Sequence, residues 1–254
     1  MNVAVITGAS SGMGKEFVNA VDKAYTSLDE IWVVARRRDR LEDLYSVTGR
    51  VRIRPVVIDM ADESHIRSFA DFLKESDPEI RMLVNSAGLG YIGSFEGESY
   101  DDEMRMVMIN CYALTAFTKI CLPYMHKNSR IINMASSASF LPQPDFAVYA
   151  ASKSYVLSFS RALGVELKKR GIYVTAVCPG PVKTEFFPLA EKHHKMKDYK
   201  KLVMADPVKV VDKAILDSRR KKAVSIYSLP MQLFAIAVKI IPHGIILRFW
   251  QGED

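Results

Sequence analysis

A tyrosine and a lysine four residues apart, Tyr149 and Lys153, carry the most pointed chemistry in the sequence. On a helix such positions share a face, so the spacing sets an ammonium beside a phenol. A neighbouring cation favours phenolate and draws a tyrosine pKa down from about 10 toward neutrality. That group can give a proton to a forming alkoxide or take one from an alcohol. The pair alone occurs by chance on many helices, and its weight comes from Ser136, 13 residues before Tyr149 and directly after the apolar run Arg130–Ala135. A strand end and a helix start open on one cleft, where a hydroxyl can hold a substrate oxygen as charge develops. Ser137 is the other serine at that place. Asn110 lies in the apolar helical stretch Val107–Cys111 and needs a hydrogen-bonding reason to be there, a satisfied core amide being the plain one.

A second constellation lies at the start of the chain. Gly8, Gly12 and Gly14 punctuate the run from Thr7 through Ala9, Ser10, Ser11 and Met13, between a first apolar run and a first helical pattern. Gly8 permits a tight turn, Gly12 lets the backbone approach a pyrophosphate, and Gly14 lets the helix pack closely on the sheet. The helix N-terminus then offers N–H groups and partial positive charge to phosphates. In dinucleotide folds that prefer NAD, an acid about 20 positions beyond the loop binds the ribose 2′-hydroxyl. Here Ala35 stands in that place, followed by Arg36, Arg37 and Arg38. A guanidinium pairs with a 2′-phosphate where a carboxylate would repel it. The expected cofactor is therefore NADP(H), with Arg36 as main contact, Arg37 beside it and Ser10 assisting.

The elements that must position these groups follow from periodicity. Apolar runs at Asn2–Thr7, Ile31–Ala35, Val51–Ile58, Met82–Asn85, Arg130–Ala135, Tyr173–Cys178 and Ala223–Tyr227 are mostly continuous rather than alternating, as in strands covered on both faces. Helical patterns separate them. Ile66, Phe69, Ala70 and Leu73 form one, capped by Asp62. Val208, Val211 and Ile215 form another, with Asp206 as cap and Pro207 in the first turn. The alternation predicts an α/β chain: a single Rossmann-like, doubly wound fold of about seven parallel strands with helices on both faces. Its ligands bind at the carboxyl ends of the strands.

Taken together and in order, these motifs resemble the short-chain dehydrogenase/reductase family, whose glycine loop has the same spacing. The resemblance runs from Asn2 to about Ser228. It implies that Ser136, Tyr149 and Lys153 are the catalytic set, since Ser137 does not match the family spacing. Asn110 matches a fourth catalytic residue that holds a water on the proton relay to Lys153. The resemblance also implies that Asp59, with Met60, caps the adenine, and that Asn85, Ala87 and Gly88 correspond to the family's Asn-Asn-Ala-Gly motif, with Ser86 departing from it. Pro179, Gly180, Val182 and Thr184 correspond to a segment along the nicotinamide. The implied activity is interconversion of a carbonyl and a secondary alcohol by hydride transfer, on a hydrophobic small molecule. A protein that binds NADP(H) as a sensor or scaffold without chemistry is the alternative, and the intact Ser136, Tyr149 and Lys153 speak against it.

Length and composition bound the rest. The chain has 254 residues, enough for one α/β domain across 1–254, and its composition is that of a globular protein. Its opening has no basic, signal-like region, and Cys111, Cys121 and Cys178 form no close pair, so a cytoplasmic protein with free thiols is expected. No His/Cys cluster has metal-ligand spacing. The net charge is +6, but Lys192–Lys201 and Arg219–Lys222 form no stripe or nucleic-acid motif, so solvated faces are expected. Residues 185–206 correspond to a substrate lid. The apolar extension 229–254 is interrupted by Pro230, Pro242 and Gly244, a poor membrane span. A pocket wall, a subunit contact and a peripheral membrane contact through 229–250 are three uses for it. A homodimer or homotetramer is the family expectation, and the small face Ala150, Ala151, Ser154 allows close helix packing.

Overall fold

Runs of β-branched residues survive in water only when both sides of the strand are covered. Strands β1 (Asn2–Thr7) and β2 (Glu30–Ala35) meet that condition, with nearly every residue buried. In the computed structural model, which describes residues 1–46, 49–191 and 204–251, they are joined by β3 (Arg52–Val57), β4 (Glu79–Asn85), β5 (Arg130–Met134), β6 (Tyr173–Val177) and β7 (Val224–Ser225). All pair in parallel, in the order β3-β2-β1-β4-β5-β6-β7.

The seven expected strands all form, with informative differences in length. Strand β4 begins at Glu79, three residues before the expected Met82, because Glu79 and Ile80 pair with Asn2 and Val3. Strand β7 shrinks to two residues against Ala176 and Val177. Strand β3 alternates between exposed and buried because it is the sheet edge, where Pro55 is tolerated.

The helices are α1 (Gly12–Ala24), α2 (Arg38–Glu42), α3 (Glu63–Ser76), α4 (Tyr100–Val107), α5 (Leu114–Cys121), α6 (Ala147–Glu166), α7 (Phe186–Ala190), α8 (Pro207–Arg219), α9 (Leu229–Ile240) and α10 (His243–Gln251). One face of the sheet packs Ile6, Ile31 and Val33 against Phe17 and Val18 of α1 and Val211 and Ile215 of α8. The other packs Val5, Trp32 and Leu83 against Phe69 and Leu73 of α3 and Phe117 of α5. Both predicted caps are present: Asp62 accepts from the Ser64 N–H at 2.8 Å, and Asp206 from the Val208 N–H at 2.9 Å. Each stabilises its helix by about 1 kcal/mol.

Strand order turns at β1: β2 lies on one side and β4 on the other. The loops after these strands must diverge, which opens a crevice at their carboxyl ends.

Candidate active site

A cavity of about 970 Å³ fills that crevice, lined by residues that follow β1 to β6. That is the size of a site for a large organic ligand. Of the residues singled out in the sequence, Gly8, Ser10 to Gly14, Arg36, Arg37, Asp59, Met60, Ala87, Gly88, Ser136, Tyr149, Lys153, Pro179, Gly180, Val182 and Thr184 all line it. Asn85 and Asn110 stand behind the wall.

The glycine loop folds more tightly than any side chain allows. Gly8 has φ +70°, and a Cβ there would lie 2.7 Å from the Ala87 backbone. A Cβ on Gly14 would lie 2.1 Å from the Gly8 carbonyl oxygen, so this glycine packs against its own loop rather than against the sheet. Thr7, which the sequence reading did not single out, ties the loops together: its hydroxyl accepts from the Ser86 and Ala87 N–H groups at 3.2 and 3.3 Å. Helix α1 starts immediately beyond, and Ser11 at its N-cap makes no side-chain capping bond. The loop and helix end fit a pyrophosphate.

At the end of β2, Arg37 donates to the Ser10 and Ser11 hydroxyls at 3.1 and 3.2 Å. Arg36 turns instead toward Asp59, 3.8 Å away, which Arg105 also approaches at 3.3 Å. Asp59 is further held by accepting from the Ala61 N–H at 2.9 Å. Across the cavity mouth, Glu185 accepts from Arg40 at 2.8 Å and lies 3.9 Å from Arg37.

Ser136 lies in extended backbone after β5 and caps a short 3₁₀ turn, Ser137–Phe140, where it accepts from the Ala138 N–H at 3.2 Å. Ser139 reciprocates by accepting from the Ser136 N–H, so the serine is fixed on both sides. Tyr149 and Lys153 lie on the first turns of α6 and are both buried. The Tyr149 ring stacks on Phe146 with centroids 4.1 Å apart and meets Phe186 of α7 at 5.5 Å. Gly90 makes room for both rings, since a Cβ there would fall 2.5 Å from Phe186 and 2.8 Å from Tyr149. Neither Phe146 nor Gly90 carried a signal in the sequence; their role comes from loops meeting across the cleft.

Burial governs the two titrating groups. It pushes the Tyr149 phenol up to about 12, against the pull of a hydrogen bond from Ser136. It holds Lys153 down to about 8. The ammonium donates to the Met134 carbonyl at 2.8 Å and stands 5.7 Å from the centre of the Tyr149 ring. The expected lowering of the tyrosine by Lys153 is not seen: burial raises the phenol, and the group that draws it down is Ser136 rather than the ammonium.

Asn110 lies in a π-helical segment, Met108–Ala113, between α4 and α5, rather than in regular helix. Such widened turns gather at functional sites. Its amide donates to the Leu89 carbonyl and the Ser152 hydroxyl and accepts from the Leu89 N–H, each at 2.9 Å. A Cβ on Gly88 would lie 3.3 Å from Asn110 Oδ1 and 3.2 Å from Lys153 Nζ, so both groups converge on that glycine. Asn85 differs from its expected place at the cofactor. It is buried, and donates to Thr118 at 3.0 Å and Asn133 at 2.8 Å, while Asn133 donates to Ser160 at 2.9 Å. It ties β4 to β5, α5 and α6 beneath the cleft.

Val182 bridges to Ala205, and the Ala205 N–H donates to the Pro181 carbonyl at 2.8 Å. The expected lid is described over Glu185–Glu191, where α7 covers Tyr149, and from Met204 on. Residues 192–203, including the basic cluster there, lie outside the described residues. Cys121 and Cys178 are buried and Cys111 half-buried, all three free.

A dinucleotide cradle leading to a buried serine, tyrosine and lysine defines a nicotinamide-dependent oxidoreductase. The short chain dehydrogenase family model matches residues 2–195, and the chain belongs to that family. Sulfoacetaldehyde reductase 2 of Chromohalobacter salexigens is 34% identical over 73% of this chain and 74% of its own length. A short-chain dehydrogenase from Sphingobium yanoikuyae, solved in complex with NADPH, superposes with TM-score 0.81 at 26% identity, covering 97% of this chain and 95% of that one. The bulky-bulky ketone specific alcohol dehydrogenase from Comamonas testosteroni superposes with TM-score 0.74 at 27% identity, covering 90% and 87%. The protein is an oxidoreductase that interconverts carbonyl and alcohol with a nicotinamide cofactor.

Proposed function

We propose that the protein is an NADPH-dependent reductase of apolar ketones or aldehydes. The observation that carries this reading is the meeting of Ser136, Tyr149 and Lys153 at one end of a glycine-loop cleft, with the Lys153 ammonium 5.7 Å from the centre of the Tyr149 ring. When bound along the glycine loop, a reduced nicotinamide cofactor would supply the hydride that the carbonyl carbon takes up. Ser136 holds the carbonyl oxygen in line and stabilises its developing charge. Tyr149 gives that oxygen the proton that completes the alcohol. Lys153, held by the Met134 carbonyl, keeps positive charge beside the phenol as it loses its proton. A phenol held up to about 12 is protonated at neutral pH, so its proton is in place to be donated, although burial makes it a weaker acid.

The NADPH preference rests on the end of β2. With Ala35 where an acid would bind the 2′-hydroxyl, Arg37 and the hydroxyls of Ser10 and Ser11 form a pocket for a phosphate, and Arg36 stands second. This revises the sequence expectation, which put Arg36 first. The NADPH complex of the Sphingobium relative supports the reading. An apolar substrate is supported by Leu141, Phe146, Phe186, Met231 and Phe234 around the inner cavity, and by the bulky ketones of the Comamonas relative.

The test is turnover of NADPH and NADH with a graded series of ketones and aldehydes, repeated with Arg37→Asp. The reading expects faster reduction with NADPH, better rates with larger apolar carbonyls, and reversal of cofactor preference in the variant. Tight NADPH binding with no turnover of any carbonyl would point to a sensor instead.

A further inference from the structure

We infer that α9 and the start of α10 form a seat for an anionic lipid surface. Leu229, Leu233, Ile236 and Ile240 are 67, 59, 56 and 75% exposed. With 3.6 residues per turn they fall on one line along α9. Ile241, where α9 ends, and Ile245 on α10 are 42 and 48% exposed. The opposite face of α9 is committed to the protein: Ala235 and Val238 are buried, and Met231 and Phe234 line the cavity. The helix thus has two apolar faces, and its outer one has no partner among the described residues.

Charge selects the occupant. Helices α9 and α10 contain no aspartate or glutamate, while Lys239, His243 and Arg248 are all exposed; Glu253 and Asp254 follow, outside the described residues. A second copy of the same face would bring these cations against one another with no carboxylate in either helix to pair them. An acidic headgroup layer pairs with them and buries the isoleucines and leucines beneath. The geometry is that of lying on a bilayer. Helix α9 has 12 residues, about 18 Å at 1.5 Å per residue, against about 30 Å of hydrocarbon. The described helix that is long and apolar enough to cross, 100–124, is packed on the sheet through Phe117 and Cys121.

Seating would also put on the lipid the helix whose opposite face, through Met231 and Phe234, walls the cleft. An apolar carbonyl compound held in the bilayer would then lie one helix away from the site. This corollary rests on the proposed reductase function, whereas the seat itself does not.

The experiment is co-sedimentation of the full chain with vesicles of phosphatidylglycerol mixed into phosphatidylcholine, and with phosphatidylcholine alone, at low and high salt. The expected result is binding to the acidic vesicles, weaker binding to neutral ones, and weakening by salt. Leu233→Ser lowers the partition constant about tenfold, and Ile236→Ser lowers it by a similar factor. Lys239→Glu with Arg248→Glu removes the preference for acidic lipid. These positions are exposed, so thermal melting should be unchanged; should a variant fail to fold, the salt and lipid dependence of the native chain still decides. Absence of binding to either vesicle overturns the proposal. So does a native dimer that Leu233→Ser dissociates while no lipid is bound, because the occupant is then a second copy. Loss of carbonyl turnover with vesicle binding intact would sink the enzymatic reading alone.

Discussion

Burial acts in opposite senses on Tyr149 and Lys153, raising the one and lowering the other. The phenol is held protonated, while the ammonium, down to about 8, is close to losing its charge. Lys153 is therefore cationic below about pH 8 and neutral above it, so carbonyl reduction should fall as pH rises through that value in a steady-state pH profile. Stability has the opposite sign. Between about 8 and the ordinary 10.5 the unfolded chain keeps a proton that the folded chain has released, so the cost of burying this lysine is greatest below pH 8 and fades as pH rises to 10.5. Lys153→Met should lose activity at pH 7 yet melt no lower than the native protein, with the gap in melting temperature narrowing above pH 8. Ser136→Ala should lower kcat by about 10²–10³ with NADPH binding unchanged. The placement of Ser136, Tyr149 and Lys153 on one cleft was legible in the sequence because their spacing is local to one strand end and one helix. The direction of the tyrosine shift was not, since it depends on Phe146, Phe186 and Gly90 closing over the ring from distant loops.

At the scale of elements, the sheet was legible and the supports beneath the cleft were not. Continuous apolar runs gave all seven strands, and Asp62 and Asp206 gave two helix starts, because strand burial and capping are written within a few residues. Asn85 was read as a cofactor residue. Its true partners, Thr118 and Asn133, are 33 and 48 positions away, a separation that no local pattern reports. Asn85→Ala should cost about 1–3 kcal/mol in chemical denaturation while leaving NADPH affinity close to native. The π segment around Asn110 was hidden for a similar reason, since Asn110 is satisfied by Leu89 and Ser152 from other elements. The latch from Glu185 to Arg40 and Arg37 joins α2 to the segment that carries Phe186. Glu185→Gln should strengthen NADPH binding more than NADH binding in direct titration, because it removes a carboxylate beside the phosphate-pairing arginine.

For the whole molecule, one cleft at the turn of the strand order collects residues from most of the chain. Cofactor binding should therefore stabilise the domain as a unit. At a hundredfold excess over Kd, NADPH should raise Tm by about 5–10 °C, and NADH at the same concentration by less. The account as a whole stands on Tyr149 as the proton donor, and the most direct measurement is single-turnover NADPH oxidation by Tyr149→Phe with the best carbonyl found, alongside NADPH titration of the same sample. The predicted result is a fall of about 10²–10⁴ in the rate of oxidation with native affinity for NADPH. Oxidation at the native rate by a folded, NADPH-bound Tyr149→Phe would contradict it.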